Sequence, residues 1–258
     1  MSAGSNGRDM QAYEAAYSSD YDFELVQVKY RREAVLRSLH ARKPSHVIEI
    51  GCGLEPLLPH YIASGGTGIT RWIVAEPSDR FAQAARAVAE DRPEMIVRQG
   101  FFEDLAHCIV AEYGQADMVI CSGLLHEVPD QMWLLSVIRM VMRPDALLHV
   151  NVPSATSLHR RLAKAMGLIG TLGQMTERNV LMQHHRVYDM ASLREDLVSA
   201  GLCPMESGGI FMKPFTHAQM QHVVEALGGD ILPGLAELGR EFPELASEIF
   251  VNAEIVVE

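Results

Sequence analysis

Two short stretches of sequence decide the fold: HVIEIGCGLEP at residues 46–56 and WIVAEP at residues 72–77. Each begins with an apolar run of the length and composition of a buried strand. The first run leads into the glycine turn Gly51-Cys52-Gly53, which should open a helix, and the second ends on Glu76. In doubly wound α/β sheets such a turn lets a ligand approach the backbone, and an acid one βα unit later accepts hydrogen bonds from a ribose. The pattern therefore predicts a nucleotide-binding α/β sheet.

The residues around the turn indicate which nucleotide derivative it would bind. The third glycine of a dinucleotide fingerprint is absent after Gly53, and Glu55 is a poor neighbour for a phosphate. Glu49 adds a carboxylate that would favour a cationic group of the ligand. The combination resembles motif I of class I S-adenosylmethionine-dependent methyltransferases, an acid followed by GxGxG, and departs from it at Glu55. A Rossmann-like domain for another nucleotide stays open as the alternative.

The resemblance to these methyltransferases continues to about residue 153. Residues 95–100 resemble the third strand of the family, residues 117–122 the fourth strand and residues 146–152 the fifth. It implies S-adenosyl-L-methionine as the cofactor, with Glu76 on the ribose and Phe102 either stacked on the adenine or part of the core. The residues predicted to bind this cofactor are Glu49, Gly51, Cys52, Gly53, Glu76, Pro77, Phe102, Glu103 and Ser122.

Helical segments outside this nucleotide-binding core are expected to cover it. We predict an α/β fold with a Rossmann-like doubly wound sheet of about seven strands, mostly parallel with an antiparallel last strand, plus helical lid and cap insertions. Residues 1–40 would form an N-terminal tail and lid helices. Residues 41–258 would form the methyltransferase-like domain, with a helical cap at about 154–189 and a second helical insertion at about 216–246. Loops at the carboxyl ends of the strands line the crevice of such sheets, so the cap is expected over the substrate.

Composition narrows the class of partner. With 258 residues, 48% of them hydrophobic, the chain can fill a large core, and no apolar run approaches the roughly 20 residues of a membrane helix. The formal charge of −11 opposes binding to nucleic acid. The amino terminus lacks the apolar segment of a signal peptide, and four scattered cysteines predict buried, reduced thiols. We expect a cytoplasmic enzyme with a small-molecule substrate and without nucleic-acid or membrane partners; a homodimer stays open.

Three tyrosines lie close together near the amino terminus: Tyr13, Tyr17 and Tyr21. Tyr13 and Tyr17 are four residues apart and would share one face of a helix. One interpretation is a lid whose phenol rings face the sulfonium of the cofactor, with Tyr17 catalytic and Tyr13 and Tyr21 binding substrate. The other is an amphipathic helix that packs on the core.

Methyl transfer from a sulfonium requires alignment of the nucleophile and, where the nucleophile is protonated, a general base. His126, after the predicted fourth strand, is the candidate base, although a histidine near this point in the family often only closes a turn. Asn151, at the end of the fifth strand, is predicted to face the crevice as a further catalytic group. His185 and Tyr188 are predicted to bind substrate. Because adjacent residues of an extended segment point in opposite directions, His184 and His185 are not expected to hold a metal.

The sequence thus predicts methylation of an oxygen or nitrogen atom of a small molecule, in specialised metabolism or sugar modification. Two alternatives stay open. In azetidine-2-carboxylate synthases, which resemble this family, the α-amino group of S-adenosylmethionine attacks its own γ-carbon and methylthioadenosine leaves. The second alternative is a non-catalytic subunit that only binds the cofactor.

Overall fold

A computed structural model describes residues 8–19 and 23–256, with side chains for residues 8–14 and 23–256. In the described part of the chain the strands are β1 (His46–Ile50), β2 (Arg71–Glu76), β3 (Met95–Gln99), β4 (Ala116–Ser122), β5 (Met142–Pro153), β6 (Leu202–Ile210) and β7 (Glu248–Ile255). The α-helices are α1 (Met10–Ser19), α2 (Glu24–Arg42), α3 (Leu57–Ala63), α4 (Asp79–Ala89), α5 (Phe102–Tyr113), α6 (Gln131–Val141), α7 (Leu158–Ala165), α8 (Glu177–Leu181), α9 (Met190–Ser199), α10 (His217–Leu227) and α11 (Ile231–Glu241). Single 3₁₀ turns occur at Leu125–Glu127 and Pro243–Leu245.

The seven strands form one sheet in the order β3-β2-β1-β4-β5-β7-β6. β1 to β5 pair in parallel, and β7 runs antiparallel to both of its neighbours, β5 and β6. The predicted Rossmann-like sheet with an antiparallel last strand is confirmed. The chain moves outward from β1 to β3 and then returns to β4, so the direction of winding reverses between β1 and β4. In open α/β sheets the ligand crevice lies outside the carboxyl ends of the strands at such a point.

The central strand β1 explains why the deciding sequence is a continuous apolar run rather than an alternating one. All five of its residues are buried. Val47 packs into the hydrophobic cluster on one face of the sheet, while Ile48 and Ile50 pack into the larger cluster on the other. Successive side chains of a strand point to opposite faces, and helices cover both faces of a parallel sheet. β1 is therefore held rigidly, and so is the start of the turn that follows it.

The two predicted insertions both contain helices. Residues 154–189 include α7 and α8, and residues 216–246 include α10 and α11. The second pair packs on a cluster that also contains Phe211 and Phe250 at the β6–β7 edge of the sheet. Before this pair, β6 ends at Ile210, since Phe211 has a φ of 56° and leaves the extended conformation.

Two composition-based expectations can be compared with the fold. All four cysteines are unpaired, but Cys108 and Cys203 are exposed, which corrects the expectation of buried thiols. Both lie on outer elements, where an apolar local sequence does not guarantee burial. Among the described residues, no helix is both long enough and apolar enough to cross a bilayer.

Candidate functional site

A cavity of about 520 Å³ opens at the carboxyl ends of β1, β2 and β4. One wall is the turn that follows β1, together with the ends of β2 and β4. Residues of α1 and α2 and of the cap between β5 and α9 form further walls. The segment that follows β6 contributes the remaining side. The cavity thus lies where the reversal of strand order predicts a ligand.

The glycine turn presents its backbone to this cavity. Gly51 and Gly53 have φ values of 71° and 58°, a region that side chains of L-residues rarely adopt. A Cβ atom at Gly51 would come no closer than 3.7 Å to the Leu124 side chain, so within the protein there is room for it. It is the backbone conformation that requires glycine here. The space above the turn is left for a ligand.

Glu76 stands at the end of β2 beside the turn and is only 3% exposed. Its carboxylate accepts the backbone N–H of Ser78 at 2.9 Å and that of Gly53 at 3.3 Å. Burial raises the pKa of Glu76 to about 7, partly opposed by these hydrogen bonds. The carboxylate lines the cavity with both oxygens oriented by the backbone. This is the arrangement that the sequence predicted for an acceptor of ribose hydroxyls.

Glu49 also lines the cavity, but its hydrogen bonds are with the protein itself. Its carboxylate accepts the backbone N–H of Leu57, at 3.1 and 3.2 Å from its two oxygens, and the indole N–H of Trp72 at 2.8 Å. Leu57 is the first residue of α3, so Glu49 stabilises the start of that helix. Burial raises the pKa of Glu49 to about 7. These contacts of Glu49 hold the glycine turn in place between β1 and α3.

Of the two alternatives left open for Phe102 in the adenine loop (residues 101–105), the structure shows the core. Phe102 is 2% exposed and belongs to the hydrophobic core, so it does not stack on a ligand. Phe101, its neighbour, packs under the guanidinium of Arg8 at 4.2 Å from the ring centre. Arg8 also forms an ion pair of 2.7 Å with Glu103, which is buried. This loop is therefore covered by the amino-terminal segment. The remaining predicted cofactor residues, Cys52, Pro77 and Ser122, line the cavity.

His126 lies in the 3₁₀ turn after β4 and lines the cavity. It is 4% exposed, and its Nδ1 has no hydrogen-bond partner among the described residues. Burial and the nearby His184 lower its pKa well below the usual value, so the ring is neutral. Its carbonyl accepts the backbone N–H groups of His185 at 2.8 Å and Arg186 at 3.2 Å. The backbone of His126 thus ties the cap to this loop, while its ring faces the site.

Glu127, which the sequence analysis did not select, places a carboxylate in the same cavity. Tyr13 of α1 donates a hydrogen bond to it. The Nε2 atoms of His126 and His184 lie 3.7 and 4.0 Å from its Oε1. Burial raises the pKa of Glu127 to about 8. The sequence did contain a signal for Glu127, because it is adjacent to His126 directly after a predicted strand. The prediction selected only the histidine of this pair.

His184, not His185, is the histidine of the cap that faces the cavity. The side chain of Asn179 is oriented by Thr176, whose N–H and hydroxyl both donate to its Oδ1, at 2.9 and 2.7 Å. Its NH₂ group therefore donates to Nδ1 of His184 at 2.9 Å, and the proton of this imidazole lies on Nε2, towards Glu127.

Metal-ligating atoms of His126, Glu127 and His184 lie within 4.8 Å of one another. A metal would need the lone pair of a deprotonated imidazole nitrogen. With its Nε2 protonated, His184 instead points a donor at the carboxylate. The arrangement favours a cluster of acid–base groups over a metal site.

The four predicted tyrosines have different positions. Tyr13 lines the cavity. Tyr17 falls within α1, but its side chain lies outside the described residues, as does all of Tyr21. Tyr188 is fully buried in the core, where its hydroxyl donates to Asp196 at 2.9 Å. The prediction that Tyr188 binds substrate is therefore wrong, because its ring points into the sheet and its neighbour Val187 lines the cavity instead.

Asn151 does not line the cavity either. It is fully buried, and its amide donates to Glu248 at 3.1 Å. Glu248 in turn receives two hydrogen bonds from Arg31 of α2, at 2.6 and 2.7 Å, and both of these residues line the cavity. The pleat directs Asn151 away from the core as predicted, but the antiparallel neighbour β7 covers it. Asn151 thus orients Glu248 rather than touching a ligand.

Comparison with known proteins agrees with this geometry. The model of a family described as a methyltransferase domain matches residues 24–206. One chain of the Haloferax volcanii complex that contains the Trm112 methyltransferase activator is 17% identical, with a TM-score of 0.58 over 95% of this chain and 98% of that chain. The cyclase SpnF is 15% identical, with a TM-score of 0.56 over 87% of this chain and 82% of its own.

A third similar structure is an S-adenosylmethionine-dependent methyltransferase from Mesorhizobium loti. It is 15% identical, with a TM-score of 0.56 over 87% of this chain and 97% of its own. At these identities the likeness concerns the fold. No curated protein sequence matches the chain significantly.

Proposed function

The chain belongs to the methyltransferase-domain family, with S-adenosylmethionine as its cofactor, and we propose that it methylates an oxygen or nitrogen atom of a small-molecule acceptor. One observation carries the proposal: a single cavity contains both the Glu76 carboxylate beside the glycine turn and the Glu127 carboxylate after β4. The first is suited to hold a ribose, and the second is suited to take a proton from an acceptor.

The residues of the cavity fit this cofactor. Glu76 offers oriented oxygens to the ribose hydroxyls, and the open space above Gly51 lets a ligand approach the backbone. When bound, the cofactor supplies an electrophilic methyl group on a sulfonium. The buried carboxylates of Glu49 and Glu76 beside the turn favour a positive charge on the ligand, because a low-dielectric environment strengthens the attraction.

The protein then has two tasks, to align the acceptor and to remove its proton. Alignment in an enclosed site can lower the barrier by about 7–11 kcal/mol, and a general base adds about 10²–10⁴-fold. We assign the base to Glu127. Its pKa of about 8 is close to neutral pH, where a base is most effective. Tyr13 orients the carboxylate by donating to it, and the Nε2 of His184 faces it from 4.0 Å.

The product formed from the cofactor tests this proposal. The purified protein would be incubated with S-adenosylmethionine alone and then with panels of small phenols, amines and hydroxy acids, and the nucleoside product identified by mass spectrometry. S-adenosylhomocysteine that appears only with an acceptor supports methyl transfer. Methylthioadenosine without an acceptor would instead indicate cyclisation of the cofactor. Binding without either product would indicate a cofactor-binding subunit. A cytoplasmic location, a role in specialised metabolism and a homodimer stay predictions.

Replacement of Glu76 by alanine should weaken cofactor binding. It removes two charge-assisted hydrogen bonds to the ribose, each worth about 1.5–3 kcal/mol, so the Kd for S-adenosylmethionine should rise at least about tenfold. Titration calorimetry measures this directly. Glu76→Gln is a milder variant, since it loses the charge but keeps one acceptor oxygen for the N–H of Ser78 or that of Gly53. An unchanged Kd in a folded Glu76→Ala variant would refute the assignment.

A further inference from the structure

The cavity contains a lysine whose charge is not used by the chemistry described so far. Lys213 follows β6, lines the cavity and is 6% exposed. Its Nζ donates to the amide oxygen of Gln27 at 2.9 Å. Among the described residues no carboxylate lies within ion-pairing distance of Lys213. A buried ammonium without a counter-ion is unfavourable, and in a ligand cavity a ligand can supply the missing charge.

The acidic side chains that act on Lys213 already form ion pairs with another residue. Glu24 and Glu248 both act on Lys213 electrostatically, but each forms an ion pair with Arg31, at 2.8 and 2.6 Å. Gln27, one helical turn before Arg31 on α2, offers Lys213 a neutral oxygen only. The ammonium therefore keeps N–H groups for another acceptor.

The other groups that act on or line the region around Lys213 include a further cation and two imidazoles. Arg178 of α8 adds a full charge. His159 and His217 also line this region, and burial together with the charge of Lys213 lowers the pKa of each to about 3, so both rings are neutral. The carboxylates Glu76 and Glu127 also line the cavity but are not among the charges that shift the pKa of Lys213. The group of Lys213, Arg178, His159 and His217 is called the basic side.

His159 adds a second unsatisfied group. Its Nδ1 is buried without a partner among the described residues. In a neutral imidazole one ring nitrogen carries a lone pair, so Nδ1 can accept a hydrogen bond when the proton lies on Nε2. The basic side therefore offers a cationic donor at Lys213 and a neutral, unpartnered imidazole nitrogen at His159.

We propose that this basic side binds an acceptor molecule that is a carboxylic acid, with its carboxylate on Lys213 and a neighbouring hydroxyl or amine donating to His159. The inference rests on the proposed function in that it names the class of acceptor. A small hydroxy or amino acid satisfies both groups at once, since it brings the counter-ion for Lys213 and a donor for His159.

Binding of benzoate, with its neutral counterpart benzamide, tests the proposal without any turnover. Both would be titrated by ligand-observed NMR into protein saturated with S-adenosylhomocysteine. Wild-type protein should bind benzoate at least about tenfold more tightly than benzamide. The Lys213→Met variant should lose this preference, whereas Lys164→Met, on the exposed face of α7, should keep it.

Two further readouts separate this site from the cofactor site and from a structural role. The Kd for S-adenosylhomocysteine should stay within about twofold in Lys213→Met; a loss there would mean that Lys213 holds the carboxylate of the cofactor. The Tm of Lys213→Met should be unchanged or higher, because a buried charge is removed. Equal binding of benzoate and benzamide by wild-type protein would overturn the proposal whatever the variant does. Failure to find any methyl transfer would count against the proposed function but would leave this binding result standing.

Discussion

Turnover should fall by about 10²–10⁴-fold when Glu127 is replaced by glutamine, while the affinity for S-adenosylmethionine stays within about twofold. The amide keeps the size and the hydrogen-bonding atoms of the side chain but cannot take a proton. The rate of S-adenosylhomocysteine formation with an acceptor identified from the product screen measures the effect. Glu195→Gln, an exposed carboxylate on α9, is the matched control and should be without effect. Unchanged turnover in Glu127→Gln would remove this residue from the mechanism.

The pH profile separates a base from a residue that only positions its neighbours. Burial raises the pKa of Glu127 to about 8, so the carboxyl group is protonated, and inactive as a base, below that pH. Turnover should therefore rise with pH up to about 8 and then level off. His126 cannot produce this rise, because its pKa is lowered. In Glu127→Gln the residual activity should lose the rise near pH 8; if the rise persists, another group is the base.

The parts of the fold that the sequence predicted are those set by local patterns. β1 is buried on both faces and is followed by a turn that needs positive φ, so both its hydrophobic run and its glycines are constrained by short-range geometry. Glu76 was predicted for the same reason, since its position directly after a buried strand fixes where its carboxylate must lie. The order of the strands has no local signature, and no order was predicted from the sequence.

The predictions of individual site residues failed mostly by one position. His184 faces the cavity where His185 was predicted, and Val187 where Tyr188 was predicted. In an extended segment adjacent side chains point in opposite directions, and which of them meets the cavity depends on how the cap docks on the sheet. That docking is set by contacts distant in sequence, such as the carbonyl of His126 with the backbone of residues 185 and 186. Such contacts are not visible in a local pattern.

Asn151 illustrates a second reason for failure. The alternation of β5 was read correctly, because Val150 and Val152 point into the core on the other face. The prediction included an antiparallel last strand but did not place it beside β5, because β7 comes about a hundred residues later in the chain. Glu248 from that strand covers Asn151 and occupies the place at the cavity.

The amino-terminal segment should contribute to turnover far more than to stability. In the structure its described part contacts three parts of the site. Arg8 pairs with Glu103 of the predicted adenine loop, the backbone of Asp9 exchanges two hydrogen bonds with Gln183 of the cap, at 2.8 and 2.7 Å, and Tyr13 donates to Glu127. No side chain described in residues 8–14 belongs to the hydrophobic core clusters. These contacts are those of a lid rather than of a core helix.

Deletion of residues 1–22 should therefore lower turnover at least about tenfold. The site loses the hydroxyl that donates to Glu127, and water can enter it. The Tm should change by no more than about 3 °C, which corresponds to about 1 kcal/mol in a chain of this size.

Two point variants each remove one contact of this segment. Tyr13→Phe removes only the hydroxyl that donates to Glu127, and Gln183→Ala removes only the hydrogen bonds between the cap and the backbone of Asp9. If the segment acts as a lid, both variants should show part of the loss, and cofactor should protect the segment from protease. A truncated protein with full activity, or protection that is indifferent to cofactor, would mean that Tyr13 and its neighbours only pack on the surface.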